Sequence, residues 1–88
     1  AAFASAKAAQ RSLAQSMGRS LGPAGVHVSY VIVDGIIDLE RTRASRPDLP
    51  DEHFMLPDDI AESVYQLTRQ QRSAWTFELD LRPFGEKW

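Results

Sequence analysis

The chain has no cysteine, which excludes a disulfide scaffold and any thiolate metal cluster. No apolar run approaches the roughly 18 residues needed to span a bilayer, so no membrane role is read from it. There is no excess of basic charge. Ten basic against twelve acidic side chains leave a net charge of −2, which argues against nucleic acid as a partner. With 43% apolar and 25% charged residues the composition is that of a folded chain, which excludes wholesale disorder. What remains is a small soluble protein, read as cytoplasmic, or one piece of a larger one. At 88 residues it buries only roughly 60–65% of its unfolded surface, so partners or oligomerisation are expected to complete it.

Acidic residues are missing from the first 33 positions, where Lys7, Arg11 and Arg19 stand uncompensated. The remainder carries seven basic and twelve acidic side chains. An acid-free, Ala- and Ser-rich start can mark a transit peptide. Here Leu21-Gly22-Pro23 stops the segment cleanly and a strand follows at once, so a structural helix is the better reading. The sequence opens at Ala1 without an initiator Met, already inside the helical pattern, and is read as continuing from an upstream segment.

Residues 3–21 predict one helix. Ser5, Ala9, Leu13, Met17 and Leu21 recur every four positions as an apolar stripe, the spacing of one helix face. A row of small residues (Ala4, Ala8, Ser12, Ser16, Ser20) lies beside it, and Lys7, Arg11 and Arg19 share the third row behind Phe3. Gly22 is expected to take the left-handed conformation that ends the helix, with Pro23 forbidding continuation. Residues 26–33 then form the clearest strand. The continuous β-branched run Val31-Ile32-Val33 suits an interior parallel strand covered on both faces.

Asp34-Gly35 breaks that strand, and residues 36–56 show no clean period, which predicts a substrate loop or lid with a short helical stretch inside it. Pro57-Asp58-Asp59 opens a second helix whose acids suit its positive end, and Ile60, Val64 and Leu67 mark its buried face. Trp75, Phe77, Leu79 and Leu81 alternate with polar residues as a half-buried strand. The order helix–strand–loop–helix–strand makes the fold α/β, the end of a parallel sheet. Two strands cannot cover a continuous Val/Ile run by themselves. The missing neighbours must come from an upstream half of the same domain or from other copies of this chain, a homo-oligomer.

Ligands of open α/β sheets settle beyond the carboxyl ends of the strands, which places the candidate site at Asp34-Gly35-Ile36-Ile37-Asp38. Read by itself, Asp34-Gly35 is either a tight strand-to-loop turn or a ligand edge. Arg41, Arg43 and Arg46 are either a solvated lid face or a clamp for an anion. His27 and His53 lack a carboxylate pattern around them, so no metal site is expected. Asp58 and Asp59 serve the helix start. Trp75, Phe77, Phe84 and Trp88 are more aromatic surface than an exposed edge and tail require, which suggests a subunit contact.

Taken together, Phe3-Ala4-Ser5-Ala6-Lys7, the small-residue helix, Leu21-Gly22-Pro23-Ala24-Gly25-Val26-His27-Val28, the Val33-Asp34-Gly35 rim and Pro57-Asp58-Asp59-Ile60-Ala61 resemble the C-terminal part of short-chain dehydrogenases/reductases. The resemblance covers residues 1–88 with gaps in the loop. It implies the C-terminal fragment of a Rossmann-like domain and an oxidoreductase using NAD or NADP. It also implies a Tyr-x-x-x-Lys pair in which the lysine holds the nicotinamide ribose and lowers the tyrosine pKa. Lys7 matches that lysine, while the tyrosine position is Phe3, which has no ionisable oxygen.

At the rim the family tends to carry Pro-Gly, a branched residue whose backbone meets the carboxamide, then a threonine. This chain has Asp34, Gly35, Ile37 and Leu39 there. The resemblance thus assigns Lys7, Asp34, Gly35 and Ile37 to the cofactor and leaves no threonine hydroxyl at Leu39. No Gly-x-Gly-x-x-Gly occurs in the chain, so the pyrophosphate cradle of such folds is missing. The chain alone is expected neither to bind a dinucleotide tightly nor to turn over. The competing expectations are a non-catalytic relative that binds a nucleotide or partner, and an oligomeric assembly fragment.

Overall fold

A computed structural model describes residues 2–86. Helix α1 (Ala2–Leu21) covers the predicted span. The chain then makes a 3₁₀ turn over Gly22–Ala24, and the left-handed residue is Gly25 at φ 90°. The stop therefore falls three residues later than Gly22. Pro23 tolerates the first turn of a helix, so the backbone tightens through it before Gly25 reverses direction, its N–H donating to the Gly22 carbonyl at 2.9 Å.

Strand β1 (Tyr30–Val33) is shorter than the predicted 26–33. Residues 26–29 carry no ladder, because side chains take over the bonding there. His27 Nε2 donates to the Thr76 carbonyl at 2.8 Å and Ser29 Oγ donates to the same oxygen at 2.7 Å. The His27 ring stacks on Trp75 with centroids 4.6 Å apart. The last strand, β4 (Glu78–Leu81), lies beside β1 and parallel to it, Tyr30 opposite Glu78 and Val33 opposite Leu81. Parallel pairing is what the unbroken β-branched run predicts.

The segment 36–56 is more ordered than its sequence suggests. It holds β2 (Ile36–Ile37), the short helix α2 (Glu40–Ser45), a 3₁₀ turn at Asp51–His53, and β3 (Phe54–Met55), which pairs parallel with β2. Strands of two residues are too short to show any period. Helix α3 (Pro57–Thr68) begins at the predicted Pro57 with Asp58 and Asp59 in its first turn.

Successive strand residues point to opposite faces, and this sets the layers. Tyr30 reaches α1, its hydroxyl donating to the Lys7 carbonyl at 3.3 Å. Val31 instead lines a cavity with Val64 and Leu67 of α3. The two helices thus cover opposite faces of the β1–β4 pair. Glu78, in register with Tyr30, pairs with Arg11 of α1. Phe77 departs from the predicted alternation with Leu79 and Leu81. It precedes the ladder and turns under α1, within 4 Å of where a Cβ on Gly18 would lie, with the Arg11 guanidinium 5.6 Å from its ring centroid.

Coverage on both faces is thin. Among the described residues the buried ones are Phe54, Met55, Leu67 and Pro83, and of the predicted α3 face Val64 remains 38% exposed. On α1 the stripe members Leu13, Met17 and Leu21 all stay exposed. The Cα radius of gyration is 15.5 Å, against about 12 Å for a compact domain of this length. Among the described residues no helix is long and apolar enough to cross a membrane. Trp88, part of the predicted aromatic contact, lies outside the described residues, while Phe84 is 92% exposed.

The tail after β4 folds back over the rim. A Cβ on Gly35 would lie 2.7 Å from Pro83 Cδ and 3.0 Å from Met55 Sδ, and Gly85 donates its N–H to the Glu52 carbonyl. Gly35→Ala is expected to lower stability by roughly 1–3 kcal/mol through overpacking, measured as a shifted urea midpoint at unchanged slope. An unchanged midpoint would mean that the tail does not pack on the rim.

Candidate functional site

The rim begins where β1 ends. Asp34 donates its N–H to the Leu81 carbonyl at 2.9 Å, extending the ladder by one bond. Its carboxylate meets Arg82 Nη1 at 2.7 Å, and Arg82 Nη2 also meets Asp80 at 3.1 Å. Asp34 thus ties the tip of β1 to the end of β4. Gly35 follows, its glycine required by the close approach of Pro83 and Met55 rather than by any positive φ. Two of the four predicted cofactor residues therefore have structural partners of their own.

Ile37 differs. Asp38 N–H donates to the Met55 carbonyl at 2.7 Å, so the groups facing β3 belong to Ile36 and Asp38. Backbone direction alternates along a strand, which turns the N–H and C=O of Ile37 to the opposite, open edge. The C=O has a partner there: Thr42 Oγ1 donates to it at 2.5 Å. Thr42 Oγ1 also accepts the Leu39 N–H at 2.9 Å. Among the described residues the Ile37 N–H has no partner.

Lys7 lies on the exposed face of α1, its Nζ 5.6 Å from the Phe3 ring centroid. Among the described residues it forms no ion pair. Its backbone is beside the start of β1 through the Tyr30 hydroxyl. The helix packs on a strand at whose far end the rim lies, and Phe3, 75% exposed, is one turn further toward the N-terminus of α1. The position that the resemblance matches to the tyrosine carries a ring with no oxygen.

The arginine cluster does not assemble a clamp. Arg43 is held by Asp38 at 2.7 Å and by Asp51 at 2.5 Å, its guanidinium 3.9 Å from the Phe54 ring centroid. Arg46 turns to Asp48. Two of the three guanidiniums are therefore matched within the loop. The Arg43 hydrogen bond holds the Asp38 carboxyl below its ordinary value, and the same bond together with that to Asp51 raises Arg43. A hydrogen bond from Arg46 lowers Asp48 likewise. Among the described residues no cluster of histidine and carboxylates could hold a metal.

Sequence reasoning missed Thr42, Arg43 as a strut, and Arg82. Thr42 carried a usable signal, a hydroxyl three residues after an extended Leu39, the spacing of a local side-chain-to-backbone turn. Arg82 carried none, since its partners Asp34 and Asp80 meet only through the parallel register.

Parallel strands with a helix on each face and a rim at their carboxyl ends define a Rossmann-like α/β segment. No family model matches the chain, and no curated protein matches it significantly. Among solved structures, a short-chain dehydrogenase from Rhodopseudomonas palustris matches with a TM-score of 0.67 and 39% sequence identity. The match covers 96% of this chain and 30% of that one. The resemblance carried by the residues is thereby shown, and this chain spans under a third of the length of that relative.

Because Asp38 is lowered in the folded state, its contribution to stability is present above the unfolded carboxylate pKa and is lost as pH falls through the lower folded value. A carboxyl NMR titration is expected to place Asp38 below free aspartate, and Arg43→Met is expected to return it toward the ordinary range. An unchanged Asp38 titration in that variant would contradict the strut.

Proposed function

We propose that the chain is the C-terminal portion of an NAD(P)-dependent oxidoreductase of the short-chain dehydrogenase type, inactive alone because it lacks the glycine-rich phosphate loop. The observation that carries this reading is the outward, unpartnered N–H of Ile37 at the carboxyl-end rim of a parallel sheet. The residues fit one end of the cofactor. The ammonium of Lys7 has three donors for ribose hydroxyls, and Ile37 offers a donor to the carboxamide. Asp34 and Gly35 form the base that holds Ile37 out. The bound cofactor would supply the hydride. A cradle for its pyrophosphate must come from a preceding segment, which would also lay strands against the open edge of β1.

Phe3 limits what these residues do. Its ring has no ionisable group and exchanges no proton, so a carbonyl substrate would need its acid elsewhere. This favours a second reading, a relative that binds the nucleotide without turnover. In a longer protein carrying the preceding segment, Lys7→Ala is expected to weaken NADH or NADPH by roughly tenfold or more, the range of a charged hydrogen bond, as read by cofactor fluorescence. No binding of either by the unmodified longer protein would remove the reading. Turnover gained by Phe3→Tyr on a panel of alcohols and ketones favours a degenerate enzyme. Retained binding without gain favours the non-catalytic relative.

A further inference from the structure

At the opposite end of the strands from the rim, a cavity of about 510 Å³ opens between the start of β1 and α3. That volume suits a small organic ligand. Its apolar wall is Val31 of β1 with Val64 and Leu67 of α3. The neutral polar groups beside it gather on Thr76. His27 and Ser29 donate to the Thr76 carbonyl, and the Gln70 side chain bonds the Thr76 hydroxyl and N–H, each at 2.8 Å. Arg72 differs. It lines the cavity as an exposed side chain, and its guanidinium has no hydrogen bond or ion pair among the described residues, which leaves five N–H donors without a protein acceptor. The head is nonetheless placed: Nη2, Cζ and Nη1 lie 3.4, 3.7 and 3.9 Å from where a Cβ on Gly25 would stand, so it rests on a turn that carries no side chain. Among the described residues no Asp or Glu lines this cavity or the two beside it that share Trp75. The cavity next to the rim, by contrast, carries Asp51, Glu52 and Asp59. Arg19 in the last turn of α1 and Arg69 at the end of α3 offset the negative ends of those helices.

We propose that this cavity is a second binding site, for a monocarboxylate with a compact apolar body such as an arylalkanoic acid. The body lies against Val31, Val64 and Leu67, and the carboxylate takes two parallel N–H donors from the Arg72 fork. One guanidinium balances one negative charge, which favours a carboxylate over a phosphate dianion. With no acid around the cavity, the attraction of Arg72 is not cancelled locally. A neutral amide gains only the apolar half of the contact, and an anion without an apolar body gains only the exposed half. The length of β1 separates this site from Ile37, so it is independent of the nicotinamide reading.

The test is a titration of the longer protein carrying the preceding segment with 3-phenylpropionate, 3-phenylpropanamide and inorganic phosphate. Binding is followed by NMR at the methyls of Val31, Val64 and Leu67 and at the Nε–H of Arg72. The acid is expected to shift all four residues together and to bind about tenfold more tightly than the amide, the worth of a charged hydrogen bond. Phosphate is expected to leave the methyls unmoved. Arg72→Gln removes the charge from an exposed side chain, and is expected to lower the acid to the affinity of the amide while the methyl spectrum of the free protein stays as it was. Arg72→Lys keeps the charge without the fork and is expected to fall between the two. Equal affinity for acid and amide overturns the proposal, as does an acid affinity unchanged in Arg72→Gln. Phosphate matching the acid reduces Arg72 to a surface cation and overturns it too. So does the absence of any methyl shift with the acid, the result if the preceding segment fills the cavity. None of these outcomes bears on NADH or NADPH at the rim.

Discussion

The structure depends on one pair of parallel strands. Parallel strands are stable when both faces are covered and both edges are paired, and β1 and β4 meet only part of that requirement. Among the described residues each face has one helix, and β1 pairs on one side only. The consequences run through the molecule: Val31 and Ile32 only half-buried and Val33 exposed in β1, an apolar stripe on α1 left in solvent, and a radius of gyration of 15.5 Å. The burial that exists is concentrated at Phe54, Met55 and Leu67, beneath the rim and under α3, away from the open edge. The geometry is that of a sheet with an unpaired edge among the described residues.

Within that frame the rim is held from three sides. Asp34 binds the tip of β1 to Arg82 at the end of β4. Pro83 and Met55 close on Gly35. Arg43 draws Asp38 and Asp51 together over the Phe54 ring. The ion pairs among these ties are partly exposed, and such pairs are individually weak. Their value is geometric, because together they leave Ile37 projecting from a segment whose other groups are engaged. A carboxylate on the rim is thus a brace, and the main-chain N–H of Ile37 is left without a partner among the described residues.

The fold was largely readable where a residue pattern acts locally. The four-residue recurrence of Leu13, Met17 and Leu21 located α1, Pro57-Asp58-Asp59 located the start of α3, and Val31-Ile32-Val33 announced a parallel partner before that partner was known. Reading failed where long-range pairing decides. Residues 26–29 looked like strand, yet His27 and Ser29 spend their side chains on Thr76. Phe77 looked in phase with Leu79 and was captured by α1. Strands of two residues at 36–37 and 54–55 carry no periodicity at all. In the site, Lys7 and Ile37 were visible only through family likeness. The occupation of the Ile37 carbonyl by Thr42 depends on a short helix whose sequence does not declare itself.

The central claim is that β1 is an interior strand paired on one side by β4 and open on the other to a preceding segment. Residue-resolved amide hydrogen exchange tests it most directly, on the 88-residue chain at low concentration and on a longer protein. Tyr30 and Asp34 donate their N–H groups toward β4, and the alternation of a strand sends those of Val31 and Val33 to the other edge. The account predicts slow exchange at Tyr30, Ile32 and Asp34 in both proteins, with Val31 and Val33 fast in the chain and slow in the longer protein. Equal protection of all five in the chain alone, or persistently fast exchange at Val31 and Val33 in the longer protein, would contradict it.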